Sequence, residues 1–375
     1  MAARVDPVEL ARDLVRFRTV NPPGEEGPCL AHLAALLEAA GFQVSLPPFA
    51  PGRVNLVARL GEPRGRGALC FAGHVDTVPL GAARWALDPF EGRVEGGRLH
   101  GRGASDMKSG VAAFVAAAVE LAAAGQAPGL VLAVVGGEET GCEGSFHLAR
   151  TPERLGPVGA LVVAEPTANY PLVGHKGALW LRAVTRGVTA HGSMPELGVN
   201  AIYKAVRAVI RLEAFAFEAA PHPVLGAPTL NVGTFSGGLN INSVPDRAEV
   251  GVDLRTVPGQ DHGELVGRLA RCLGDEVELS PVLDVPGVWT DPRDPWIQEV
   301  YDVLAPVLGT RPEPRGVAYF TDASALVPAL GGVPAVILGP GEPEQAHRSD
   351  ESCPVENIRA ATAAYVEIAR RWYAR

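Results

Sequence analysis

Three apolar runs in this sequence end in acid or imidazole side chains. "ALCFAG" (Ala68–Gly73) runs into His74 and Asp76. "LVLAVVGG" (Leu130–Gly137) runs into the adjacent pair Glu138 and Glu139, and "ALVVAE" (Ala160–Glu165) closes on Glu165. Two further candidates are Asp106 in "GRGASDMKSG" and His347 in "AHRSDE", the latter shortly after a fourth apolar run, "VPAVILGPG" (Val333–Gly341). Each has an ordinary explanation when taken singly. A histidine after a strand is commonly a hydrogen-bonded structural residue, and an aspartate before a helix commonly caps it. Glu165-Pro166-Thr167 reads as a turn, and Glu138-Glu139 as a solvated loop. Taken together they do not: carboxylates at the ends of buried strands are costly unless their charge is compensated, and several at one sheet edge repel strongly without a cation.

The runs that carry these residues lack strict alternation, so they read as strands buried on both faces. Helical patterns lie between them, at Cys29–Ala40, Ser109–Ala124 and Trp296–Leu308. Strands alternating with helices predict an α/β fold with a largely parallel sheet and flanking helices. In such sheets ligands bind beyond the carboxyl ends of the strands, so residues distant in sequence are expected to converge there. His74 and Asp76 are two apart, which in extended backbone points both side chains the same way. Asp76 is then expected to accept the second imidazole N–H and fix the tautomer.

The middle of the chain changes style. "RAEVGVDLRTV" (Arg247–Val257) alternates, with Ala248, Val250, Val252 and Leu254 on one face and Glu249, Asp253 and Arg255 on the other. That is the pattern of a half-solvated antiparallel strand. Ala178–Gly187 is a weaker version. Between them a helical pattern places Val199, Ile202, Val206 and Val209 on one face. The expectation is an α+β unit, residues 177–285, inserted into a domain formed by residues 1–176 and 286–375.

Composition narrows the function classes. Of 375 residues 47% are hydrophobic and 20% charged, with a formal net charge of −9 and no basic block. A nucleic-acid or anionic-membrane partner is therefore not expected. No run approaches ~18 apolar residues, and the opening "MAARVDPVELARDLVRF" has no signal-peptide core, so a cytoplasmic location is expected. Cys29, Cys70, Cys142, Cys272 and Cys353 form no CxxC pair and read as reduced, packing thiols. "DMKSG" has the Lys-Ser of a phosphate loop, but Met107 stands where that motif needs glycine.

Longer stretches carry a resemblance. "GHVDTVP", "WALDPFEGRVEGGRLHGRGASDMKSG", "GGEETG", "AEPT", "GVTAHGSMPELGVNAI", "NINSVPDRAEVGVDLR", "YFTDAS" and "AHRSDE" resemble, in order, the M20 metallopeptidase family, in its acetylornithine deacetylase, succinyl-diaminopimelate desuccinylase and carboxypeptidase G2 branch. The resemblance implies a two-metal amidohydrolase, usually with two Zn²⁺ per chain, and Co²⁺ or Mn²⁺ as substitutes. It implies His74, Asp106 and Glu165 as ligands of one ion, and Asp106, Glu139 and His347 as ligands of the other, with Asp106 bridging. Glu138 matches the general base and Asp76 the carboxylate that orients His74. Imidazole and carboxylate donors without thiolate suit these ions independently. Adjacent glutamates then divide the work: Glu139 anchors an ion while Glu138 handles the proton. Gly136 and Gly137 are expected to let the chain turn close to the ions.

The inserted unit resembles the family's dimerisation lid, which implies a homodimer. His191, in "TAHGSMP", matches a histidine that reaches the partner's site and stabilises an oxyanion; without the family it reads as a turn residue. Asn242 and Arg255 match residues that hold the substrate's carboxylate or oxyanion. The plainer reading of Arg255 is an ion pair with Asp253, worth little on a surface. Lys176, in "GHKGAL", is a further candidate for the anionic end. The implied substrate is a small N-acyl amino acid, with acetyl or succinyl groups the natural acyl candidates. Dipeptidase or carboxypeptidase activity on a short peptide is the alternative. A silent metal-binding scaffold is the alternative of another class, and a complete ligand set with Glu138 argues against it.

Overall fold

A computed structural model of the chain describes residues 5–63, 65–126 and 129–374. The chain divides into two compact units: Met1–Gly174, Trp289–Arg315 and Thr321–Arg375 form the first, and His175–Val288 with Gly316–Phe320 the second.

The first unit is built on a six-stranded sheet. In spatial order its strands are Gln43–Ser45, Leu56–Leu60, Leu130–Val135, Ala68–His74, Val158–Val163 and Ala335–Ile337. The last four run parallel to one another. They are the four apolar runs, and every residue of Ala68–His74, Leu130–Val135 and Ala335–Ile337 is buried, as two covered faces require. The first two strands pair antiparallel at one edge. They are short, and no alternation in the sequence marks them.

Helices cover the sheet. Ser109–Ala123 is buried nearly all round and is rich in alanine. Small side chains let it lie against the sheet while Pro7–Arg16 and Val355–Tyr373 pack over it. Phe71 of the central strand fixes the contact, with ring centroids 6.0 Å from Phe114 and 5.2 Å from Tyr365. Burying each such aromatic or large aliphatic side chain contributes about 1.5–3 kcal/mol. The outer helix Val355–Tyr373 is long enough to pack on Pro295–Leu308 as well.

The second unit carries a four-stranded antiparallel sheet in the order Thr229–Gly237, Arg247–Thr256, Gly177–Arg186, Val277–Val285. Arg247–Thr256 alternates buried and part-exposed along its whole length. Helices Ala201–Glu213, capped by Asn200 on the Ile202 amide at 2.9 Å, and His262–Leu273 pack on this unit's sheet. The helix face differs in part from expectation. The buried stripe of Ala201–Glu213 is Ala201, Ala205, Ala208 and Leu212, whereas Val199 and Val206 are exposed. The alanines win the sheet side because their small side chains let the helix axis approach closely. Ile202 and Val209 of the expected face are half-buried and pack against this core at its margin, while Tyr203, Val206 and Ile210 are 66%, 44% and 58% exposed.

Among the described residues no helix is long and apolar enough to cross a membrane. The cysteines are free; Cys29, Cys70, Cys142 and Cys353 are buried and Cys272 is half-buried. The Lys108 ammonium is buried and donates to the Phe17 carbonyl at 2.8 Å, so it is committed within the fold rather than presented to a phosphate.

Candidate metal centre

Beyond the carboxyl ends of the parallel strands the polar residues meet. His74 is the last residue of its strand and is fully buried. Its Nδ1 donates to the backbone carbonyl of Asp76 at 2.9 Å. The Asp76 carboxylate is farther, at 3.5 Å. The tautomer is thus set mainly by the Asp76 main chain, which corrects the expectation that the carboxylate does it. With Nδ1 protonated, Nε2 faces the site. It lies 3.3 Å from Asp106 Oδ1, 3.8 Å from Glu165 Oε1 and 3.9 Å from Glu138 Oε2.

Asp106 stands between two histidines. Its Oδ1 faces His74, and its Oδ2 lies 3.4 Å from His347 Nε2. His347 Nε2 is also 3.0 Å from Glu139 Oε2. His347 holds a left-handed backbone, φ 61°, a conformation that a non-glycine residue keeps only where its surroundings impose it. His74, Asp106 and Glu139 offer donor atoms that all lie within 4.8 Å of one another.

The Asp76 carboxylate has its own partners. It accepts the Glu138 amide at 3.2 Å, the Glu139 amide at 3.3 Å and the Asn21 side-chain amide at 2.9 Å. It therefore holds the backbone of the glutamate pair.

The electrostatics show what the cluster lacks. Burial, reinforced by Glu165 and Glu139 and opposed by His74, raises the proton affinity of Glu138 well above an ordinary carboxylate's. Burial does the same to Glu165 and, less strongly, to Glu139. Asp106 goes the other way: burial opposes its ionisation, but His347 and His74 hold its pKa below the usual range. Burial works against a charged His74, yet Asp106 and Asp76 outweigh it. His347 is pushed up to about 10 by Asp106 and Glu139. His74 Nε2 and Glu139 Oε1 are buried without a hydrogen-bond partner. A ring lone pair facing a carboxylate oxygen needs a proton or a cation between them, and several acids sharing one wall need more positive charge than two histidines supply. The donor set fits divalent Zn²⁺, Co²⁺ or Mn²⁺.

The remaining candidates lie in the second unit. His191 is exposed, and its Nδ1 accepts from the Ser193 amide at 3.2 Å, which places the proton of the neutral ring on Nε2. Its backbone bridges to Ser243, and the Gly192 amide donates to the Asn242 carbonyl at 2.8 Å. The structure thus brings His191 and Asn242 together. Arg255 pairs with Asp253 at 3.0 Å on the strand face, as the plainer reading has it. Lys176 donates to the Ala227 carbonyl at 2.5 Å, and burial, then the Arg255 charge, lower its pKa.

The sequence profile of Peptidase family M20/M25/M40 matches residues 70–371. The chain belongs to this family. It is 30% identical over 348 residues to an acetylornithine deacetylase of Vibrio campbellii, covering 89% of each chain. It is 31% identical over 387 aligned positions to a succinyl-diaminopimelate desuccinylase of Cereibacter sphaeroides, covering 99% of this chain and all of the relative. Its fold is similar to that of an M20 family metallo-carboxypeptidase from Sulfolobus solfataricus, with a TM-score of 0.83 at 19% identity over 99% of this chain and 100% of the other. The chain is an M20-type hydrolase.

Several residues that shape this M20 centre carry no obvious signal in sequence. Asn21, 55 residues from Asp76, is one. Glu26 and Arg53 are another case: Glu26 is fully buried, and Arg53 clamps it with bonds of 2.5 and 3.2 Å while reaching Glu143 at 2.8 Å. This explains Gly136 differently from the expectation. A Cβ there would lie 2.7 Å from the Glu26 carboxylate, so the glycine makes room for a buried acid rather than for an ion. Gly137 is required by its φ of 79°. Asp322, in "YFTDAS", is buried beside the site; its Oδ1 accepts the Ser145 hydroxyl at 2.5 Å, and burial is the first cause pushing it up to about 6. Arg102 and Glu351 sit inside "GRGASD" and "RSDE", stretches whose chemistry the sequence assigns to their neighbours.

Proposed function

We propose that this protein is a metal-dependent amidohydrolase that cleaves the amide bond of a small N-acyl amino acid, of the deacetylase or desuccinylase type. The observation that carries the reading is the position of Asp106. One of its oxygens faces His74, on the side of Glu165, and the other faces His347 and Glu139. Two half-sites share one carboxylate, an arrangement that would suit a pair of divalent ions. His74, Asp106 and Glu165 would hold one ion, and Asp106, Glu139 and His347 the other. When bound, the ions supply Lewis acidity, polarising the amide carbonyl and acidifying water.

The chain's own groups do the rest. Glu138, buried and raised in proton affinity, accepts the proton of the attacking water and returns it to the departing nitrogen. Asp76 holds the glutamate pair through both amides and keeps His74 oriented through its carbonyl. His191, with its proton on Nε2, is suited to donate to a developing oxyanion, and the family resemblance assigns it to the partner subunit's site. Asn242, Arg255 and Lys176 are proposed for the substrate's anionic end. Tyr203, Val206 and Ile210 form an exposed apolar stripe on the second unit, and they support a homodimer formed through that unit. The first unit, Met1–Gly174 with Trp289–Arg315 and Thr321–Arg375, would then be the catalytic domain, and the second, His175–Val288 with Gly316–Phe320, the lid, close to the insertion expected at 177–285. The relatives' names, a deacetylase and a desuccinylase, support the acyl-amino-acid class over peptides.

The test is metal analysis combined with a substrate panel. Purified protein should carry up to two divalent ions per chain. Chelation should abolish hydrolysis of N-acetylornithine, N-succinyl-diaminopimelate or simple N-acyl amino acids, and Zn²⁺ or Co²⁺ should restore it. Full activity in verified metal-free protein would overturn the reading. Faster turnover of dipeptides than of every N-acyl amino acid would replace it with a peptidase assignment.

A further inference from the structure

We propose that the buried ion pair Arg102–Glu351 is a positioning device that keeps the loops carrying Asp106 and His347 in register, so that metal affinity depends on it. The inference rests on the metal-centre reading above.

The pair joins residues 249 apart in sequence, with nitrogen and oxygen 2.7 Å apart and both side chains 1% exposed. Four donors converge on one carboxylate. Glu351 Oε1 accepts the amides of Ser105 at 2.7 Å and Asp106 at 2.9 Å. Its Oε2 accepts the Gly103 amide at 3.0 Å and Arg102 Nη1. The Glu351 carbonyl also accepts the Gly101 amide at 3.0 Å. The segment leading into Asp106 is thus wrapped around a single side chain. Arg102 extends the junction. Its Nη1 also donates to the Arg348 carbonyl, and its Nη2 to the Pro79 carbonyl, each at 3.1 Å. Arg348 follows His347, and Pro79 lies on the segment that leaves His74 and Asp76. Three ligand-bearing segments therefore meet at one guanidinium and one carboxylate.

The arrangement bears on affinity because Asp106 must offer a different oxygen to each half-site. A small rotation of its backbone withdraws both at once, and a binding constellation tolerates displacements of only ~0.5 Å. Glutamine at 351 keeps the shape but not the pairing. Its amide has one acceptor oxygen, and its NH₂ would face donors where Glu351 accepted.

The test titrates metal-free wild type, Glu351→Gln and Arg102→Lys with Zn²⁺ by calorimetry, and records the circular dichroism and thermal unfolding of each metal-free protein. Folded Glu351→Gln is expected to bind Zn²⁺ ~10–100-fold more weakly, the range typical when an outer partner of a ligand is lost. Arg102→Lys keeps the charge but loses the planar fork that reaches Glu351, Arg348 and Pro79 together. It is expected to show a smaller loss and serves as the readout if Glu351→Gln does not fold. Metal-free variants that are less stable yet bind Zn²⁺ as tightly as wild type would show that the pair serves the fold alone, and would overturn the inference. Failure of the wild type itself to bind Zn²⁺ would instead overturn the metal-centre reading.

Discussion

The Asp76 carboxylate accepts the main-chain N–H of Glu138 at 3.2 Å, and its second oxygen accepts that of Glu139 at 3.3 Å. One carboxylate thus fixes the backbone of the adjacent glutamates, while its own carbonyl orients His74. Asp76→Asn removes one acceptor oxygen and turns an NH₂ toward backbone donors. The expected result is a ~10–100-fold loss of turnover or metal affinity. Steady-state kinetics at saturating Zn²⁺ and calorimetry separate the two; no change in either would mean that the amides hold their positions without Asp76.

The two glutamates are expected to separate on mutation. Glu138→Gln should retain its metal and lose turnover by ~10²–10⁴-fold, the usual worth of a general acid–base group. Glu139→Gln should lose metal first, because Glu139 lies 3.0 Å from His347 Nε2 and has a second oxygen buried without a partner. Elemental analysis beside kcat decides, and the opposite pattern would mean that the roles are exchanged.

His191→Ala is expected to leave metal content unchanged and to lower turnover by ~10²–10³-fold, the range for removing one oxyanion donor. Mixing His191→Ala chains with Glu138→Gln chains tests donation between subunits. Recovered activity after confirmed subunit exchange supports it, and none means that His191 acts within its own chain or has no catalytic part.

His175 makes the second unit's stability sensitive to acid. It is fully buried, and burial lowers its pKa to about 4 from 6.5. A depressed histidine lets the unfolded chain bind the extra proton first, so its contribution is present above pH 6.5 and is lost as pH falls toward 4. Between pH 7 and pH 5 this one group costs about 2 kcal/mol of stability. Urea unfolding at both pH values should show that loss, and His175→Gln should show less of it. Equal pH dependence in the two proteins would assign the loss to other groups.

The donor inventory and the strands that present it are legible in the sequence. Short aliphatic runs without alternation, bounded by glycines and separated by helical patterns, fit strands covered on both faces, and acids at their ends then fall at one edge of a parallel sheet. The alternating strand Arg247–Thr256 is equally plain, because a period of two has no other use there. The antiparallel strands Gln43–Ser45 and Leu56–Leu60 are too short to show a period. The helix Ala201–Glu213 shows a wide apolar stripe, and only the distance of approach to the sheet decides that its alanines face inward.

Tertiary structure alone decided the partners. Nothing local distinguishes the Asp76 carbonyl from its carboxylate as the acceptor for His74, or marks Gly136 as room for Glu26. Nor could any spacing join Arg102 to Glu351 across 249 residues. Periodicity records which face of an element is buried, because that repeats along the chain. A side-chain pair closed by the fold occurs once, between segments whose sequences carry no trace of each other.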